Sequence, residues 1–95
     1  MSAIMMSQLT VNDPEKFADY LLKSKAIASR YGAELLFSGK FQETLNGNPR
    51  PHRMVVIAQF PDHDALNKWH EDPEYADLIP LREASSEQIM TTYSE

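Results

Sequence analysis

The chain has 95 residues, 42% of them hydrophobic, with fourteen Asp and Glu against nine Lys and Arg and a net charge of −5. That describes one globular domain over residues 1–95, near the low end of what folds alone, without the basic face that phosphate neutralisation asks of a nucleic-acid binder. With no cysteine, disulfides, thiolate catalysis and cysteine-ligated metals are excluded.

The opening MSAIMMSQLTVND has no Lys or Arg before its short apolar run, so it does not read as a signal peptide. No stretch approaches the ~20 apolar residues of a membrane span. A cytoplasmic protein with no membrane or nucleic-acid partner is expected. Residues 3–11, AIMMSQLTV, predict a first strand, ended by Asn12-Asp13-Pro14. Asp13 suits a helix N-cap and Pro14 the first helical position, where no N–H is needed. Phe17, Tyr20, Leu21, Ser24, Ile27, Ala28 and Tyr31 recur at spacings of three and four, one face of a helix about five turns long. Gly32 then suits its C′ position.

Residues 33–43, AELLFSGKFQE, predict a second strand, with Gly39 as a bulge. Asn46-Gly47-Asn48-Pro49 marks a turn, and HRMVVIAQF, residues 52–60, is the clearest strand of the chain. The two form an antiparallel hairpin on this reading. Asp62 caps a second helix that turns Ala65, Leu66 and Trp69 inward. Asp72-Pro73 opens a short third helix through Leu78, which Pro80 keeps from running further. SEQIMTTY, residues 86–93, predicts the last strand. The order β-α-β-β-α-β is an α+β, ferredoxin-like arrangement: an antiparallel sheet with its helices on one side.

Such a sheet should alternate apolar and polar residues, and this one does not. Met54, Val56, Ala58 and Phe60 share one face while Val55 and Ile57 take the other. Ile4 and Met6 oppose Met5, Leu9 and Val11, and the second strand sets Leu35, Phe37 and Phe41 against Leu36. A second copy of the same sheet is the simplest cover for the outer face, which predicts a homodimer.

Phe17-x-x-Tyr20, Tyr31-Gly32-Ala33, Leu45-Asn46-Gly47, Arg53-Met-Val-Val-Ile-x-x-Phe60-Pro61, Trp69, Pro73-Glu74-Tyr75 and Arg82 appear in that order. As an ordered set covering nearly the whole chain, they resemble the domain of unknown function 1330 family, of the dimeric α+β barrel superfamily. Ala33, Gln59 and His70 depart from its pattern, where a glycine, an acid and a tyrosine are common. The resemblance implies a dimeric α+β barrel. Related barrels include monooxygenases that use no metal or flavin, lactone isomerases and haem-handling enzymes, a breadth that leaves function to the site.

A pocket lined by Tyr20, Trp69 and Tyr75, with Arg53 or Arg82 at its floor, would suit a flat organic acid or aromatic ligand. A guanidinium can clamp a carboxylate through paired N–H donors. Each arginine could equally pair with a neighbouring acid, Glu83 or Glu74 in the case of Arg82. Trp69 and the tyrosines fit core packing as well as a cleft wall. His70, beside Trp69, and Tyr75 are the acid–base candidates; a solvated histidine at a helix end is the plainer alternative. His63 and His70 lie about 10 Å apart along one helix, too far to share an ion, so no metal site is expected. No phosphate-binding or dinucleotide fingerprint appears, and no cofactor is expected. Two functions follow: a binding or catalytic protein acting without cofactor on a small organic acid, as an isomerase or monooxygenase would, or a non-enzymatic interaction module.

Overall fold

A computed structural model describes residues 2–49 and 51–95. The chain runs β1 (Ala3–Val11), α1 (Pro14–Ser29), β2 (Glu34–Lys40), β3 (Met54–Phe60), α2 (His63–Glu71), α3 (Pro73–Ala76), α4 (Ile79–Ser85) and β4 (Ser86–Ser94). The strands form one sheet in the order β2-β3-β1-β4, every neighbouring pair antiparallel. This is the ferredoxin-like arrangement.

The caps explain the helix starts. Asp13 accepts from the Lys16 N–H at 3.1 Å and Asp62 from the Ala65 N–H at 2.7 Å. Asp72 accepts from the Glu74 N–H at 2.7 Å, so each helix after a strand, and the one after α2, begins on an aspartate. The regular part of α1 ends at Ser29, but its hydrogen bonding runs on. Gly32 N–H donates to Ser29 O and Ala33 N–H to Ala28 O, the Schellman pattern with Gly32, at φ 79°, in the left-handed position.

Two expectations need correction. Pro80 does not end the helical stretch; it sits in the first turn of α4, where a missing N–H costs nothing. The irregularity of β2 lies between Leu35 and Phe37, not at Gly39. The extra residue is Leu36, and it flips the faces: Leu35 pairs with Ala58 on the helix side, whereas Phe37 pairs with Ile57 on the open side. Gly39 is in regular register with Val55. A Cβ there would lie 2.7 Å from the Phe37 ring, so the glycine makes room for that ring.

Ala3, Met5, Ser7 and Leu9 of β1 are buried beneath the helices, and the residues between them are only partly covered. Phe17, Tyr20 and Ile27 of α1, with Phe60, Leu66, Trp69, Tyr75 and Leu78, complete the core. On the open face Ile4, Met6, Val55 and Ile57 form a central apolar strip, flanked by Phe37, Ile89 and Tyr93, each about half exposed.

Replacing Gly32 by Ala puts a Cβ 2.7 Å from Pro61 Cγ at a positive φ. The backbone term alone is about 1–2 kcal/mol. The urea midpoint of Gly32→Ala is expected to fall with no change in slope; an unchanged midpoint would show that the α1–β2 turn tolerates the side chain.

Candidate functional site

Helix α1 leans mainly on α4 and only thinly on the sheet. Several residues around that space are small: Ser24 and Ala28 on the helix, Ser7, Ser38 and Ala58 on the strands. Side chains of this size cannot close the space. A cavity of about 400 Å³ remains, walled further by Met5, Leu9, Phe17, Val56, Phe60 and Met90. Its open side carries Leu21, Leu22 and Lys25 of α1 and Leu35 of β2. These three leucines are exposed.

The polar groups of this apolar chamber are few. Ser7 Oγ donates to Gln88 Oε1 at 2.8 Å, and Gln88 Nε2 donates to Ser86 Oγ at 2.9 Å, so this corner is satisfied internally. Trp69 lines the cavity while being 2% exposed. Its indole N–H is buried and has no hydrogen-bond partner among the described residues. A buried donor left unpaired costs free energy.

Tyr20 also lines the cavity, and its hydroxyl lies 2.8 Å from that of Tyr75. Burial, and then the neighbouring Tyr75, hold the Tyr20 phenol well above its ordinary value. It keeps its proton across the neutral range and serves as a hydrogen-bonding group, not as a base. Tyr75 has no solvent exposure. Its hydroxyl receives Arg82 Nη1 at 3.2 Å and lies 3.8 Å from Met90 Sδ. Trp69 packs on its ring at 4.7 Å and His70 at 5.3 Å between centroids. Arg82 also pairs with Glu83 at 2.9 Å.

The structure thus gathers Tyr20, Trp69, Tyr75, His70 and Arg82 into one cluster, in two layers. Tyr20 and Trp69 form cavity wall. Tyr75 and Arg82 stand behind them, and His70 lies on the outer side of Trp69 and Tyr75, exposed to solvent. Arg53 is elsewhere: its guanidinium lies over the Phe41 ring at 5.6 Å, at the far end of β3 from Trp69's contact with Phe60. Glu74 pairs not with Arg82 but with Arg30, accepting from Nη1 and Nη2 at 3.2 and 2.8 Å. Sequence reasoning missed Ser24, Ala28, Ser7 and Ala58. The signal was present as small residues on faces where a core normally carries large ones. No group of three or more His, Asp or Glu is placed to hold a metal ion among the described residues, and no helix there is long and apolar enough to cross a membrane.

A family model described as a domain of unknown function, DUF1330, matches residues 2–93, and the chain belongs to that family. No curated protein matches the sequence. Among solved structures, a protein of unknown function from Rhodopseudomonas palustris aligns with a TM-score of 0.76 and 22% identity, over 99% of this chain and 83% of that one. SnoaB, a cofactor-independent oxygenase from Streptomyces nogalater, aligns at 0.72 and 18% identity over 99% and 92%. A dimeric ferredoxin-like protein of unknown function from Thermobifida fusca aligns at 0.62 and 13% identity over 100% and 92%. These likenesses establish the fold; function rests on the site.

Two shifted groups make stability depend on pH. Desolvation against the aromatic cluster, and then the Arg82 charge, lower the His70 pKa from its ordinary 6.5. The unfolded chain therefore binds this proton more readily, and stability is full above pH 6.5 and falls as pH drops toward the folded value. The Tyr31 hydroxyl, and then the Glu74 N–H, lower Asp72 from 3.8, so its contribution is present above 3.8 and lost as pH falls through the depressed value. His70→Asn is expected to flatten the stability curve just below pH 6.5 while leaving the fall at lower pH. Urea unfolding at a series of pH values checks this; an unchanged slope would remove His70 from the account.

Proposed function

We propose that this member of the family is a homodimer in which each subunit holds a small organic molecule, an aromatic or an organic acid with an apolar body, between α1 and the sheet. The observation that carries the reading is the Trp69 N–H: a buried donor without a partner among the described residues, on a side chain that lines an apolar cavity of about 400 Å³. Specific ligand sites have this size and this character, mostly apolar with few polar groups. An acceptor oxygen on the ligand would satisfy the indole.

Tyr20 and Trp69 would touch the ligand, with Tyr75 and Arg82 bracing them from behind. Tyr75 and His70 are the groups this reading assigns to proton transfer, Tyr75 through its hydrogen bond to Tyr20. Arg53 would act only at the far end of the sheet. The chemistry that fits is cofactor-independent, of the isomerase or oxygenase kind. Its support is that SnoaB, a cofactor-independent oxygenase, shares the fold. The homodimer is supported by the half-exposed Phe37, Ile89 and Tyr93 around an apolar strip. Contiguous apolar surface of that kind seldom goes uncovered.

Thermal unfolding against a panel of phenols, small carboxylates and lactones tests the site. A ligand at about 100 times its dissociation constant adds ~2.7 kcal/mol of stability, and Trp69→Phe, which keeps an aromatic wall but removes the N–H, is expected to reduce that gain by about 1 kcal/mol. Sedimentation of the same sample should give twice the 10.8 kDa chain mass, and Ile57→Glu should halve it. A flat response across the panel with the dimer intact would leave a non-enzymatic interaction module.

A further inference from the structure

The cavity beneath α1 is larger than one ring needs. A dry apolar cavity of about 150 Å³ already takes a benzene, and this one holds about 400 Å³. A single ring would leave more than half of the space without contacts, and lining atoms that face a void lose their dispersion partners. A ligand that fills the space therefore carries a second apolar part at least as large as the ring.

The lining divides by depth. Its aromatic members, Phe17, Tyr20, Phe60 and Trp69, are at most 6% exposed, whereas Leu21, Leu22 and Leu35 line the same space at 38%, 72% and 50%. A residue that both lines a cavity and meets solvent stands at its opening, so the mouth is aliphatic. It lies between α1 and β2, an edge strand of the sheet. The bulge at Leu36 serves this mouth. Leu35 pairs with Ala58, itself part of the lining, while Phe37 pairs with Ile57 on the open face. The homodimer proposed above closes on that other face, so it does not account for the exposed leucines on the helix side. Single exposed leucines need no explanation; three around one opening are continuous with the apolar chamber behind them.

Building on the cavity reading above, we propose that the ligand has two apolar parts: a hydroxyaromatic ring among the buried aromatic side chains, and an aliphatic chain that leaves between α1 and β2 across Leu21, Leu22 and Leu35. Ring-on-ring contacts add to the gain from buried area, which places the aromatic end inward. The three leucines are then specificity-determining residues that select for the chain. The ligand class is thereby narrowed from hydroxyaromatics in general to those with an alkyl substituent.

The test is a series of 4-alkylphenols from 4-ethylphenol to 4-hexylphenol, each titrated by calorimetry below the concentration at which it aggregates. A methylene moved wholly from water to apolar surroundings strengthens binding about fourfold, so a rise of about two- to fourfold per added methylene is expected. Any apolar surface favours longer chains, so the deciding readout is the ratio of the hexyl to the ethyl affinity across variants. Leu22→Gln and Leu35→Gln should each lower that ratio about threefold. Leu36→Gln, adjacent to Leu35 and as exposed but outside the lining, should keep the wild-type ratio. The proposal is overturned by a ratio that Leu22→Gln and Leu35→Gln leave unchanged, or that Leu36→Gln lowers as much as they do. If Leu35→Gln does not fold, Leu22→Gln, at the more exposed position, decides alone. Binding of 4-ethylphenol with no gain from a longer chain sinks the proposal but leaves the cavity reading standing. Binding of no member of the series sinks both.

Discussion

The covered side of this protein is organised around the Tyr75 ring. It sits in the short α3, with no solvent exposure, and it meets α1 through the Tyr20 hydroxyl, α2 through Trp69, α4 through Arg82 and β4 through Met90. Four elements thus meet at one residue. The Arg30–Glu74 pair and the Tyr31–Asp72 hydrogen bond hold the end of α1 against the same corner. Exposed ion pairs contribute little, so the buried contacts of Tyr75 carry most of the fixing.

That corner explains the cavity. A helix that leans on α3 and α4 does not need to seat itself on the strands. Protein interiors ordinarily reach crystal-like density, and voids lined by methyl-sized groups cost stability. Here small residues of both layers line the space, Ser24 and Ala28 on the helix and Ser7 and Ala58 on the sheet, where larger side chains would reduce it. The fold therefore keeps a space it could close. The same wall includes Trp69, whose buried indole N–H has no partner among the described residues, and Tyr20, whose hydroxyl meets that of the arginine-bound Tyr75. The cost in packing and the unpaired donor fall at one place, which is where binding function is expected to override local stability.

Much of this was legible from the sequence, for identifiable reasons. β1 runs over residues 3–11 as its composition predicts, and the aspartate caps at 13, 62 and 72 are where the side-chain pattern puts them. These are local signals, decided within four residues. The bulge at Leu36 was not legible, because alternation counts residues and cannot see an unpaired one; the glycine that looked like its cause instead accommodates the Phe37 ring. Pro80 misled because proline breaks a helix in its interior and suits one at its start, and only the end of α3 at Ala76 tells which applies. In the site, the sequence brought Trp69, His70, Tyr75 and Arg82 together by proximity along the chain. It could not separate the wall from its backing, since that depends on the path of α1; alternation does put Arg53 on the face of Val55 and Ile57, which is the one away from the helices.

The central claim is that the space beneath α1 is a place for a small hydroxyaromatic molecule. A crystal structure grown with 4-bromophenol tests it most directly, because the anomalous signal of bromine locates the ring without bias from the surrounding atoms. The account predicts a bromine peak beneath α1, with the ligand oxygen within hydrogen-bonding distance of Trp69 Nε1 or the Tyr20 hydroxyl. A saturated crystal with its bromine on the open face of the sheet, or with side chains folded into the space beneath α1, would contradict it.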